Sequence, residues 1–216
     1  MKLYAISGLG ADKRVYDFLK LELELIPLDW IEPKPNEDIR DYSLRLSASI
    51  NTDEEFGIIG VSFGGLIAVE ISKNLNPKLT ISISSIETDQ ELPLLYRAIG
   101  KLGIAYILPK IFFTPPKSLS RFLFGTKNTE TLYPILEDTD PAFAKWAVTQ
   151  LLGWENKERI AGSLKICGDK DFLLLSPKRT DIITIKGGGH FMIVDKAEEI
   201  SAVINKKVRS IRPDSM

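Results

Sequence analysis

The segment GVSFG at residues 60–64 matches the pattern G-x-S-x-G, which places a serine in a sharp turn between a strand and a helix. This turn forces the serine into strained backbone angles, and a glycine two residues away on either side leaves room for it. A β-rich run leads into Ser62 and a helical pattern leads out of it, as the turn requires. Ser62 is therefore the candidate nucleophile.

A serine hydroxyl becomes a strong nucleophile only when a base removes its proton, so this chemistry requires a histidine. The chain has one histidine, His190, which follows three glycines in the segment KGGGH at 186–190. The glycines give that loop the freedom to turn back across the edge of a sheet. A histidine in isolation is more often structural, but its position after the serine turn predicts that His190 is the general base.

The third group must be a carboxylate that holds the imidazole in one tautomer and stabilises its charged form. The segment CGDKD at 167–171 ends a predicted strand with two acids, which lie between the serine and the histidine in the chain. Asp169 follows the strand directly, where aspartates commonly form turns, so we predict that Asp171 is the catalytic acid. Glu87 and Asp89, which follow an earlier strand, are the remaining candidates.

An oxyanion hole needs two backbone N–H donors, one from the residue after the nucleophile and one from the loop after the first strand. Phe63 follows the serine, and Leu9 lies between two glycines in the segment SGLG at 7–10. We predict that the N–H groups of Leu9 and Phe63 are these donors. Taken alone, the SGLG segment is more typical of an ordinary turn between a strand and a helix.

Composition limits the other kinds of site. The 216 residues are 44% apolar and 26% charged with a net charge of -1, so the chain has no basic field for nucleic acid. One cysteine, Cys167, and one histidine exclude a disulfide framework and a multi-cysteine or histidine-rich metal site. The chain has no apolar run of 18 residues and no signal-peptide pattern, so we expect a cytoplasmic protein without a membrane span.

Short β-branched runs alternate with helical patterns, which predicts an α/β fold with a mostly parallel sheet covered by helices on both faces. The runs at 57–61 and 79–85 are almost wholly apolar or small, so we expect them at the centre of the sheet. The six predicted strands are 3–7, 23–29, 57–61, 79–85, 164–168 and 181–186.

Three helices are predicted around this sheet. In the first of them, Leu44, Leu46 and Ile50 form a mainly apolar stripe that we expect to face the core. The predicted helices span 36–50, 64–74 and 191–211.

Residues 87–160 separate the fourth and fifth strands, where the alternation needs only one helix. They hold ten of the 19 aromatic residues and several prolines, which favours an inserted helical cap, or lid, over a core formed by 1–86 and 161–216. Six Lys and Arg but one acid, Glu91, lie in 91–127. This mixture suits either a pocket for an apolar acyl group with an anionic tail or the solvated face of amphipathic helices.

With these residues in this order, the chain resembles the α/β-hydrolase family of lidded serine esterases and lipases. The resemblance extends from SGLGAD through GVSFGG and GDKD to GGGH, and so covers nearly the whole chain. It implies a triad of Ser62, Asp171 and His190 and an acyl-enzyme in the cleavage of a carboxylester, thioester or lactone. It also implies that the family's usual first two strands are missing, and that the six strands have the spatial order 2-1-3-4-5-6. Ser7 stands where the family usually has a histidine.

Two other classes of function fit parts of the sequence. Gly8 and Gly10 after the first strand, with Asp29 about 20 residues further on, partly match a dinucleotide-binding fingerprint, but Lys13 occupies the place of the third glycine. A non-catalytic ligand-binding protein is the other alternative, because a fold does not determine a function. The preferred prediction is an esterase-like hydrolase with a small-molecule substrate, no cofactor and no nucleic-acid partner. The sequence leaves the oligomeric state open.

Overall fold

A computed structural model describes residues 1–114 and 116–211. Six strands form one sheet in the order β2-β1-β3-β4-β5-β6, and each of the five pairings is parallel. This confirms the predicted fold class and the predicted strand order. The strands are β1 (Lys2–Ile6), β2 (Leu25–Pro27), β3 (Phe56–Val61), β4 (Leu79–Ile83), β5 (Leu164–Gly168) and β6 (Ile182–Ile185).

Helices lie in the connections from β2 to β5 and after β6, and in the described part of the chain none of them is long and apolar enough to cross a membrane. Short 3-10 turns lie at Lys13–Tyr16, Asp89–Glu91 and Lys110–Phe113. The helices are α1 (Ile39–Ser47), α2 (Phe63–Leu75), α3 (Leu94–Lys101), α4 (Ile104–Ile107), α5 (Lys117–Phe124), α6 (Thr129–Glu137), α7 (Pro141–Gly153), α8 (Met192–Asp195) and α9 (Ala197–Ile211).

The sheet separates two hydrophobic cores, because successive residues of a strand point to opposite faces. Tyr4 and Ile58 lie in one core with α1 and α2. Leu3 and Ile59 lie in the other core with α9. The central strand β3 is buried along its whole length, as expected for a strand covered on both faces.

Two helices differ from their predicted limits. Helix α1 begins at Ile39 because the Asp38 carboxylate accepts the N–H groups of the first turn, and it ends before Ile50. The inward position predicted for Leu44 is wrong, since this side chain is 46% exposed, whereas Leu46 is buried. The predicted closing helix is divided at Lys196, whose backbone leaves the helical region between α8 and α9.

A buried ionic network ties the start of the 87–160 segment to the sheet. The Lys165 ammonium on β5 donates to the Ser85 carbonyl at 2.9 Å and to Glu91 Oε2 at 2.7 Å. Arg179 Nη1 donates to Glu91 Oε1 at 2.7 Å and to Glu87 Oε2 at 3.1 Å. Burial raises the pKa of Glu91, but the two cations outweigh it and hold that pKa below its ordinary value.

The 87–160 segment is helical, as predicted. Three of its prolines stand at positions that helices tolerate, since Pro93 and Pro116 precede α3 and α5 and Pro141 is the first residue of α7. Pro134 instead lies inside α6. Helices α3 and α4 and the Lys110–Phe113 turn all pack on α7. The division of the chain into a core and a cap stays a prediction.

Candidate active site

Ser62 lies at the sharp turn between β3 and α2, with φ of 52° and ψ of -121°. A non-glycine residue in this region is strained by about 1–3 kcal/mol. A Cβ atom on Gly60 would lie 2.2 Å from the Gly64 carbonyl oxygen, and one on Gly64 would lie 2.2 Å from the Ser7 carbonyl oxygen. Only glycine therefore fits at the two flanking positions of the G-x-S-x-G pattern.

The structure brings the three predicted polar side chains into one line. Ser62 Oγ lies 2.8 Å from His190 Nε2, and His190 Nδ1 lies 2.8 Å from Asp171 Oδ2. The other carboxylate oxygen of Asp171 accepts the N–H groups of Leu173 at 3.0 Å and Leu174 at 2.9 Å. An ionised carboxylate can only accept, so Nδ1 carries the imidazole proton and Nε2 is free to accept from the serine hydroxyl.

The other candidate acids lie elsewhere. Asp169 is exposed and accepts the Gly187 N–H at 2.6 Å, which closes the turn between β5 and the glycine loop. Glu87 belongs to the buried ionic network, and Asp89 pairs with a solvent-exposed lysine. In this arrangement Asp171 is the carboxylate that contacts His190.

The loop after β1 lies against the nucleophile turn. The Ser7 hydroxyl donates to the Ala11 carbonyl at 2.7 Å, and the Ala11 N–H donates to the Gly8 carbonyl at 2.9 Å. A Cβ atom on Gly8 would lie 3.3 Å from the Cβ atom of Ser62. Ser7 thus closes this loop internally, at the position where the family usually has a histidine.

The two predicted oxyanion donors are available. Among the residues described, no protein acceptor takes the N–H of Leu9 or of Phe63. The Phe63 ring is held between Trp30 at 5.9 Å and Trp146 at 5.8 Å, measured between ring centroids. This aromatic packing fixes the residue that follows the serine, because a close-packed ring leaves its backbone little freedom.

Ser62 and His190 face a cavity of about 470 Å³. No Asp, Glu, Lys or Arg among the described residues lines it, so an anionic group inside the cavity would have no cation to pair with. Aromatic residues of the 87–160 segment that line the cavity are Phe112, Phe113 and Phe124, along with Tyr96. Of the two explanations for the Lys and Arg of residues 91–127, this lining favours the solvated face of amphipathic helices over a pocket for an anionic tail.

Sequence reasoning missed several residues of the site. Leu173 and Leu174 line the cavity and also hold the Asp171 carboxylate through their N–H groups. Thr139 lines the cavity and its hydroxyl donates to the Gly10 carbonyl at 3.1 Å, next to the Leu9 donor. The apolar run directly after Asp171 was the available signal for the two leucines, whereas no local pattern marks Thr139.

No protein-family model and no curated protein matches the chain. Among solved structures, an esterase from Thermogutta terrifontis superimposes with a TM-score of 0.74 at 12% identity, covering 99% of this chain and 91% of that one. The chain has the α/β-hydrolase fold. MenH from S. aureus, at 17% identity and a TM-score of 0.71, is matched over 99% of this chain and 95% of that one. A lipase-esterase related protein from Clostridium acetobutylicum matches at 17% identity and 0.70, over 95% and 93%.

Proposed function

We propose that this protein is a serine hydrolase that cleaves an ester-type bond of a small, largely apolar substrate. The observation that carries the proposal is the hydrogen-bonded line from Asp171 through His190 to Ser62, which ends at an apolar cavity. Both contacts are 2.8 Å, within the range needed for proton transfer. The fold and its similarity to a structure described as an esterase support the same class of reaction.

In the proposed acylation step, Ser62 Oγ attacks the acyl carbon while its proton moves to His190 Nε2. The Asp171 carboxylate accepts the Nδ1–H and stabilises the imidazolium that forms. Negative charge develops on the acyl oxygen, where the N–H groups of Leu9 and Phe63 would bind it. The tetrahedral intermediate then collapses as His190 returns the proton to the leaving group.

In the proposed deacylation step, water attacks the acyl-enzyme at the same carbon. His190 Nε2 takes the proton of the water, and the oxyanion again develops next to Leu9 and Phe63. Collapse of this intermediate releases the acid and returns the proton to Ser62 Oγ.

The cavity supports an uncharged, apolar acyl group as the part of the substrate that is bound. Its lining is mostly Leu, Ile, Val, Ala and Phe, and its volume of about 470 Å³ is in the range of small-molecule sites. In this proposal residues 87–160 act as the cap, because Phe112, Phe113 and α7 supply much of the wall opposite Ser62. A cytoplasmic carboxylesterase is the form of the proposal that we prefer to a thioesterase or lactonase.

A fluorophosphonate probe tests the proposal directly, because it reacts with an activated serine. We expect the wild-type protein to be labelled at Ser62, as located by peptide mass spectrometry, and the Ser62→Ala variant to remain unlabelled. Ser118→Ala, which removes an exposed serine of α5, is the matched control and should keep full labelling. A folded wild-type protein that does not react would favour the non-catalytic ligand-binding alternative.

The Phe113→Ala variant tests the cavity as the acyl site. We expect its KM for p-nitrophenyl octanoate to rise about tenfold, with little change for the acetate, because a lost phenyl contact costs about 1.4 kcal/mol. Labelling of Ser62 should persist. Phe124→Ala should also lower kcat, since the Phe124 ring lies edge-on to the His190 ring at 5.5 Å.

Phe18→Ala is the control, because this exposed phenylalanine lies outside the 87–160 segment. Its steady-state constants should equal those of the wild-type protein for both esters. If Phe113→Ala changed only the melting temperature and left chain-length preference untouched, Phe113 would have a packing role and the cap proposal would fail.

A further inference from the structure

The outer side of the segment between Leu92 and Lys127 is unusually apolar. Nine of the fifteen large hydrophobic residues that are exposed in the described chain lie between residues 94 and 122. Exposed hydrophobic residues in such a group mark a site that interacts with another protein or with a membrane. We use the name outer face for six of these nine residues, which are 66–81% exposed: Leu94, Leu102, Ile107, Ile111, Phe112 and Phe122.

Packing explains why these side chains point outward. Helices α3 and α4 and the Lys110–Phe113 turn rest on α7, and Tyr96 and Ile99 of α3 face the cavity on that inner side. A Cβ atom on Gly100 would lie 2.0 Å from the Leu152 carbonyl oxygen, so α3 is pressed closely against α7. Leu94 of α3 and Leu102, which directly follows α3, are 76% and 74% exposed.

The charged residues of this segment are all of one sign. Residues 92–127 hold six of the 28 Lys and Arg and none of the 29 Asp and Glu, which leaves the rest of the chain with 22 bases against 29 acids. The neighbouring acid Glu91 is turned into the buried ionic network. The outer side of the segment is therefore cationic, although the whole chain has a net charge of -1.

The bases stand beside the apolar residues of the outer face. Lys101 precedes Leu102, Lys110 precedes Ile111 and Arg121 precedes Phe122 in the chain. All three bases are exposed, and no described Asp or Glu lies within ion-pair distance of them. Of the other bases in the segment, Lys117 is paired with Glu137 on α6.

We propose that the outer face docks on the surface of an anionic lipid bilayer. Apolar side chains would enter the boundary between headgroups and acyl chains, and Lys101, Lys110 and Arg121 would bind the anionic headgroups. A second copy of the chain fits less well, because a symmetric dimer would place the same cationic patch against itself. An anionic bilayer complements both the charge and the apolar character of the face.

Docking on a bilayer does not require catalysis. One consequence of docking, the delivery of substrate, does depend on catalysis. Phe112 belongs to the outer face and also lines the cavity of Ser62 and His190, so the cavity reaches the surface at this face. This step rests on the proposed function. An acyl ester held in the bilayer can then pass to Ser62 without crossing bulk water.

Vesicle co-sedimentation tests the docking. We expect the wild-type protein to sediment with vesicles of phosphatidylcholine mixed with phosphatidylglycerol, and far less with phosphatidylcholine alone. The variant Lys101→Gln/Lys110→Gln/Arg121→Gln should bind the anionic vesicles about 100-fold more weakly, because each base near such a surface contributes about 1 kcal/mol. Repeating the assay with Ser62→Ala protein separates docking from hydrolysis, since binding should not change.

Two further variants test whether binding depends on the bases and the apolar side chains of this face. Lys20→Gln/Arg40→Gln/Lys206→Gln removes three exposed bases outside the segment and should bind like the wild-type protein. Ile107→Ser/Ile111→Ser should lose binding while thermal unfolding stays cooperative, because both side chains are exposed. Absence of binding to anionic vesicles, or binding that neither outer-face variant weakens, overturns the proposal. The other outcome is a protein that forms a dimer and fails to bind vesicles. If Ile107→Ser/Ile111→Ser dissociates that dimer, the outer face is the interface with a second copy.

Discussion

Replacing Ser62 with alanine is expected to lower kcat for p-nitrophenyl esters by about 10⁴-fold or more, while the protein stays folded. The variant removes the oxygen that forms the acyl-enzyme in the proposed mechanism but leaves the turn between β3 and α2, whose glycines determine its shape. His190→Ala should cause a loss of similar size, because the hydroxyl then keeps its proton. Steady-state hydrolysis, with circular dichroism as the check on folding, measures both losses.

The two losses should not add. In the proposed mechanism Ser62 and His190 act in one proton transfer, so once either is absent the other no longer contributes to the rate. The double variant is therefore expected to match each single variant within about threefold. Ser118→Ala should retain wild-type activity. A His190→Ala protein that kept more than about a tenth of the wild-type kcat would remove His190 from the role of general base.

Much of the fold could be predicted because it is encoded in local periodicity and in chain order. The runs of β3 and β4 consist of apolar or small residues, so they predicted central strands, and a parallel sheet with crossover connections allows few strand orders. Leu44 shows the limit of this reasoning. Leu44 continues the apolar pattern of α1, but only part of the surface of α1 packs on the sheet. The sequence of a single helix does not show where that packed surface ends.

The residues of the candidate site could be predicted in part for a chemical reason. A nucleophile, a base and an acid each have few possible residue types, and one histidine in the chain left no choice of base. The cavity is different, because its walls come from α3, α7 and the loop after Asp171, which are far apart in sequence. The sequence also did not show whether the six Lys and Arg of residues 91–127 face the cavity or solvent. Composition does not tell which side of a helix faces a cavity.

The choice between the two acids of the CGDKD segment also needed the structure. Asp169 and Asp171 are two residues apart, and both lie within three residues of the end of β5. Asp169 turns outward and accepts the Gly187 N–H, while Asp171 turns inward to His190. The direction of each side chain depends on the backbone of a short loop, which sequence patterns describe poorly.

Asp171→Asn is expected to lower kcat by about 10⁴-fold through the tautomer of His190. The N–H groups of Leu173 and Leu174 will hold the amide oxygen of the new side chain, since they donate to Oδ1 of the carboxylate. Its NH₂ group then faces His190 Nδ1 and donates to it, so the imidazole proton must move to Nε2. In that tautomer Nε2 cannot accept the proton of Ser62.

Asp169→Asn is the matched control, because it makes the same change two residues away at an exposed carboxylate. Its amide oxygen can still accept the Gly187 N–H, so we expect kcat to fall less than tenfold. Parallel measurement of kcat and of the melting temperature for the two variants separates loss of catalysis from loss of the fold. A larger loss in Asp169→Asn would transfer the role of the acid to Asp169. Losses below tenfold in both variants would point instead to Glu87 or Asp89, because a displaced acid would leave the loop after β5 without a catalytic carboxylate.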